Sequence, residues 1–194
     1  LIGYTNAGKS SLMRLLTGSE VLVEDKLFAT LGTTTRQLSP PTSPAILLSD
    51  TVGFIKRLPH ALISSFHSTL DEIHGASLLL IVVDAADSDL RGQLAVTRQM
   101  IADLGESVTP TWLVLNKIDM VSPEARAALL AEFPDATAIS AHDAVDGRLL
   151  RERLISFFDA QLQTARLELS YDQQGLLAKF RRHIRVLDED WGET

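Results

Sequence analysis

The chain of 194 residues has no cysteine, which excludes a disulfide framework and any cysteine-ligated zinc site. A reducing, cytoplasmic setting is the expectation that follows. Long apolar runs are also missing. The longest strongly apolar stretch, Leu78 to Val83, falls far short of the roughly 20 residues a membrane-spanning helix needs, so it reads as a buried strand and no membrane is expected as a partner. A basic excess is lacking too: 18 Lys and Arg stand against 25 Asp and Glu, for a net charge of −7. That balance excludes a surface holding nucleic acid generally by counterion release. The one basic cluster, Lys179, Arg181, Arg182, His183 and Arg185, reads as a solvated helix face. The opening Leu1, Ile2, Gly3 carries no initiator Met, basic leader or cleavage site, so the chain reads as a fragment that starts within a strand.

What is present suffices for one α/β domain and a small appendage, with 45% apolar residues. Runs rich in Val, Ile and Leu alternate with helix-period segments, the pattern of a doubly wound, mostly parallel sheet with helices on both faces. Strands are expected at Leu1 and Ile2, Ala45 to Ser49, Leu78 to Val83, Thr111 to Leu115 and Thr137 to Ile139. Helices are expected over Lys9 to Leu16, Pro59 to Ile73, Leu90 to Leu104, Pro123 to Glu132 and Gly147 to Gln163. Ser122 before Pro123 is a capping hydroxyl ahead of a first-turn proline. Glu24 to Pro44 reads as a long loop edged by a short strand. The organisation expected is a nucleotide-binding domain over 1–163 and the start of a small, incomplete α+β unit over 164–194, with a strand at Arg166 to Leu169 and a helix from Gly175 to His183.

Gly3-Tyr4-Thr5-Asn6-Ala7-Gly8-Lys9-Ser10 matches the phosphate-binding pattern G-x-x-x-x-G-K-[ST], between a strand end and a periodic helix that begins with Ser11 close behind. Glycines let successive N–H groups turn inward around phosphates, and the helix N-terminus favours the anion. Lys9 is expected to reach the β- and γ-phosphates, and the Ser10 hydroxyl to ligate Mg²⁺. Asp50-Thr51-Val52-Gly53 follows a strand. Asp50 is the expected second Mg²⁺-directed carboxylate, and the Gly53 N–H the expected donor to the γ-phosphate, since no side chain blocks its approach.

Asn116-Lys117-Ile118-Asp119 closes another strand, on the carboxyl edge where open α/β sheets bind ligands. A carboxylate at Asp119 can accept from both N1–H and the 2-amino group of guanine, whereas adenine offers neither donor there. Ser140-Ala141 stands where a backbone N–H can meet the guanine O6. In the long loop, Thr33-Thr34-Thr35-Arg36 supplies a threonine to close over Mg²⁺ and the γ-phosphate, Thr34 being the first choice and Thr35 the second. Together these motifs point to a GTP-binding, GTP-hydrolysing P-loop NTPase that cycles between GTP and GDP.

The phosphate motif, Leu27-Phe28-Ala29-Thr30-Leu31 through Arg36, and Asp50-Thr-Val-Gly-Phe-Ile55 followed by Leu58-Pro59-His60 make the chain resemble the HflX family of translational GTPases over nearly its whole length. Gly32 and Thr33 depart from the family's usual Asp and Pro, and Ser11 from its usual Thr. The resemblance implies association with the large ribosomal subunit and, in some members, splitting of stalled ribosomes under stress. The isolated chain is expected to be a monomer. Ribosome assembly, tRNA modification and a binding module with incidental hydrolysis stay open as alternatives.

Phe54 stands where many GTPases carry a water-orienting glutamine, so slow unassisted turnover is expected, on the order of 10⁻⁴ to 10⁻² s⁻¹. Asn6 matches an asparagine that holds K⁺ in some related GTPases, with loop stabilisation as its plainer role. His60, His67 and His74 recur every seven residues, a shared helix face rather than the i, i+4 pair of a helical zinc site.

Overall fold

The computed structural model describes residues 1–18, 34–50, 75–103, 109–170, 175, 184–190 and 192. The helix expected over Pro59 to Ile73, the histidine stripe, Gly53, Phe54 and most of the basic cluster lie outside the described residues.

The apolar run becomes β3 (Leu79–Asp84), whose first five residues are buried. A strand buried on both faces needs no polar alternation. Leu79, Ile81 and Val83 enter one core with Leu90, Leu94, Leu115 and Leu129. Leu80 and Val82 enter a second with Leu12, Met13, Leu16, Leu150 and Leu154. Two-residue strand periodicity therefore splits one hydrophobic run between two helical layers, which is the doubly wound arrangement expected.

β3 pairs in parallel with β4 (Thr111–Asn116), with Val82 opposite Val114 and Asp84 opposite Asn116. β4 pairs in parallel with the two-residue β5 (Thr137–Ala138). On the other side, β1 (Thr34–Gln37) and β2 (Leu47–Asp50) form an antiparallel pair with Thr34 opposite Asp50. Residues 1 and 2 join the two sheets: the Leu1 amino group donates to Ser49 O at 2.6 Å, and Ile2 bridges Ile81, donating to Leu80 O at 2.9 Å and accepting from Val82 N at 2.8 Å.

α1 (Lys9–Thr17) ends at Gly18, whose φ of 65° suits the left-handed stop and whose N–H reaches Arg14 O. α2 spans Leu90–Asp103. α3 (Pro123–Glu132) has the expected bounds, and the Ser122 hydroxyl caps Ala125 N. α4 (Ala144–Asp159) begins three residues before the expected Gly147, because Asp143 caps Val145 N. Gly147 is an interior glycine demanded by packing: a Cβ there would lie 2.7 Å from the Leu15 side chain of α1. The helix also ends four residues before the expected Gln163.

The strand expected at Arg166 to Leu169 is absent. Its alternating pattern finds no sheet edge among the described residues, and Leu167 and Leu169 are exposed. Further on, Arg185 is held rather than solvated alone. Its guanidinium meets both Asp159 oxygens at 2.7 and 3.0 Å and donates to Ser43 O at 2.9 Å. Arg151 of α4 donates to Ser39 O and Pro40 O on the same β1–β2 turn. Among the described residues no helix is long and apolar enough to cross a membrane.

Candidate functional site

The loop from Gly3 to Gly8 leaves the carboxyl end of the residue 1–2 bridge and enters α1. Two of its glycines are required by close approach: a Cβ on Gly3 would lie 2.1 Å from Val82 O, and one on Gly8 2.1 Å from Asn116 Nδ2. Both have positive φ, as does Asn6 at 63°. Within the loop Tyr4 and Ala7 are buried and Asn6 is exposed, while Thr5, Ser10 and Ser11 are half-buried.

Lys9 is buried with its Nζ on Gly3 O at 3.1 Å and Tyr4 O at 2.8 Å. Burial pushes its ammonium down to about 8, against the opposing pull of the Asp50 carboxylate. The unfolded chain holds that proton up to the ordinary value of 10.5. Between these values the unfolded state binds more protons, so stability rises with pH there. Wild type should gain about 3 kcal/mol over Lys9→Met from pH 8 to 10.5, read from denaturant unfolding across that range; parallel curves would contradict it.

Ser10 donates its hydroxyl to Asp50 Oδ2 at 2.8 Å. Asp50 is 1% exposed, and its Oδ1 is buried with no hydrogen-bond partner among the described residues. An orphaned carboxylate oxygen next to a hydroxyl and facing a lysine fits a hard, oxygen-seeking cation such as Mg²⁺. Of the threonines, Thr35 shares a hydrogen bond with the Ser49 hydroxyl at 2.8 Å. Thr34 lies opposite Asp50 in the β1–β2 register, and its side chain, like Gly53, is outside the described residues.

Asn116 joins this half to the other. Buried at 1% exposure, it donates from Nδ2 to Ala7 O at 2.8 Å and accepts from Ala141 N at 3.0 Å. Lys117 adopts a left-handed φ of 60° and pairs with Asp84 at 2.6 Å. The 3-10 turn Ile118–Met120 then presents Asp119 exposed to solvent.

Ser140 N donates to Asp146 Oδ2 at 2.7 Å and Ala141 N to Asn116 Oδ1 at 3.0 Å, so a base carbonyl meeting either N–H would exchange with a side-chain acceptor already there. Buried N–H groups find internal partners of this kind. Asp84 and Asp146 were missed by sequence reasoning. Asp84 ends β3 opposite Asn116, but only the strand register reveals that closeness.

The spatial result is one edge carrying Gly3 to Ser11, Asp50, Asn116 to Asp119 and Ser140 to Ala141. A family model described as 50S ribosome-binding GTPase matches residues 1–117. The chain is 57% identical over 194 residues to GTPase HflX of Gluconacetobacter diazotrophicus, spanning all of this chain and 43% of that protein. It is 37% identical over 206 residues to GTPase HflX of Akkermansia muciniphila, with 100% and 45% covered. Among solved structures, a GTP-binding protein from Sulfolobus solfataricus in complex with GDP is 28% identical with a TM-score of 0.63, over 83% of this chain and 52% of that one. The chain thus spans less than half the length of these curated relatives. With a matched family model over residues 1–117 and HflX proteins as relatives along its whole length, the chain belongs to the 50S ribosome-binding GTPases, as an HflX-type member.

Proposed function

We propose that this chain binds GTP with Mg²⁺ along the carboxyl edge of its sheet, hydrolyses it to GDP and phosphate, and couples that cycle to the large ribosomal subunit, as in splitting or rescue of ribosomes under stress. The observation that carries the reading is the Ser10–Asp50 pair with its orphaned Oδ1, set against the buried Lys9.

In this reading the N–H groups of residues 3 to 11 cradle the phosphates and Lys9 exchanges its two loop carbonyls for phosphate oxygens. Ser10, Asp50 and Thr34 are the residues that would hold Mg²⁺, which when bound neutralises phosphate charge as it develops. Gly53 donates its N–H to the γ-phosphate. Asn116 and Lys117 support the base pocket, Asp119 reads guanine, and Ser140 and Ala141 close it. Asn6 is the candidate K⁺ contact. Residues 1–163 form the nucleotide domain and 164–194 begin a second unit.

Fluorescent-analogue titration of GTP and ATP, with turnover followed in K⁺ or Na⁺ and with or without large ribosomal subunits, tests this. Guanine preference with slow turnover raised by the subunit is the expected result. Equal affinity for GTP and ATP would defeat the nucleotide assignment. Guanine preference with no stimulation by subunits would defeat the ribosome coupling.

A further inference from the structure

Asp119 is exposed and has no hydrogen-bond or ion-pair partner among the described residues, although a lysine stands two residues before it. That lysine turns the other way. Lys117 Nζ pairs with Asp84 Oδ2 at 2.6 Å, and the pair is more sheltered than the surface around Asp119, its side chains being 30% and 17% exposed.

Asp84 is itself fixed on all sides. Its strand register sets it opposite Asn116, Ala85 N donates to Asn116 O at 2.8 Å, and its second oxygen accepts from Ala86 N at 2.9 Å. Both carboxylate oxygens are thus engaged, one by backbone and one by lysine, and the carboxylate cannot follow Lys117 if that side chain swings.

We propose that Asp84 is a positioning residue for guanine recognition: by holding the Lys117 ammonium over the end of β3, it keeps the neighbouring Asp119 carboxylate unpaired and available to nucleobase donors. The inference rests on the reading of Asp119 as the guanine acceptor. Without Asp84's charge, Lys117 has Asp119 as its nearest alternative anion in sequence, and an exposed pair of that kind would compete with the base.

Asp84→Asn is the informative change, because the amide oxygen can still accept from Ala86 N while the charge is lost. GDP affinity, titrated with a fluorescent analogue, should fall about fivefold, the scale of an exposed ion pair. The loss should shrink at high salt, which screens the competing pair. In a Lys117→Met background the same substitution should cost less than about twofold, since no ammonium remains to swing.

Equal losses in both backgrounds, a salt-independent loss, or no loss where Lys117 is intact would overturn the proposal. Circular dichroism and thermal midpoints of all four proteins separate a folding defect from a binding one; should Asp84→Asn unfold, Asp84→Glu with the same salt series takes its place. If wild type itself shows no guanine preference, the base-site reading has failed instead. A wild type that prefers guanine with an unaffected Asp84→Asn sinks this inference alone.

Discussion

Asp119→Asn is expected to lower the preference for GTP over ATP by two or more powers of ten. The carboxylate offers acceptors to both N1–H and the 2-amino group of guanine, and charged hydrogen bonds contribute roughly 1.5 to 3 kcal/mol each. An asparagine keeps one acceptor and sets an N–H₂ against the guanine amino group, so one bond is lost and one contact becomes repulsive. The same variant should gain affinity for xanthine nucleotides, whose C2 carbonyl accepts from the new amide. Because Asp119 is exposed at the tip of a 3-10 turn, stability should hardly change. Competition titration with the three nucleotides measures both effects, and an unchanged GTP to ATP ratio would remove Asp119 from the base site.

Asn116→Ala should act through the fold as well as the ligand. The side chain satisfies Ala7 O and Ala141 N in a site 1% exposed. Truncation leaves a buried acceptor and a buried donor without partners, at about 1–3 kcal/mol each. That is a large share of the roughly 5–15 kcal/mol holding a typical domain together. At about 2–4 °C per kcal/mol for a chain of this size, the midpoint should drop by roughly 5–15 °C. Asn116→Asp should not rescue, since its oxygen would face Ala7 O where Nδ2 now donates. A midpoint within about 2 °C of wild type for Asn116→Ala would mean that water replaces the clamp.

Elements governed by local chemistry were legible from sequence. α3 matches residue for residue because a serine cap and a first-turn proline mark its start, and β3 is where an uninterrupted apolar run must be buried. Elements governed by distant neighbours were not. The α4 start was misplaced at Gly147: the Asp143 cap sets it three residues earlier, and the glycine inside the helix answers to the Leu15 side chain of α1 pressing against it. Arg166 to Leu169 has a strand's alternation with nothing to pair against among the described residues. In the candidate site, the types and spacing of Lys9, Ser10, Asp50, Asn116 and Asp119 suit phosphate and guanine chemistry, and the fold joins Ser10 to Asp50 and Asn116 to the Gly3–Gly8 loop. Asp84 and Asp146 carry no such signature; what they touch depends on strand register and on where α4 begins. The engagement of the Ser140 and Ala141 N–H groups was hidden for the same reason.

The β1–β2 turn leaves a mark that related sequences should bear. Arg151 grips it through the carbonyls of Ser39 and Pro40, and Arg185 through that of Ser43, atoms that every residue type possesses. Side chains at 39 and 40 can therefore drift without loosening those contacts, whereas Arg185 and Asp159 depend on each other's charge. Across homologues, variation at the turn should be uncorrelated with these arginines, while replacement of Arg185 should travel together with replacement of Asp159.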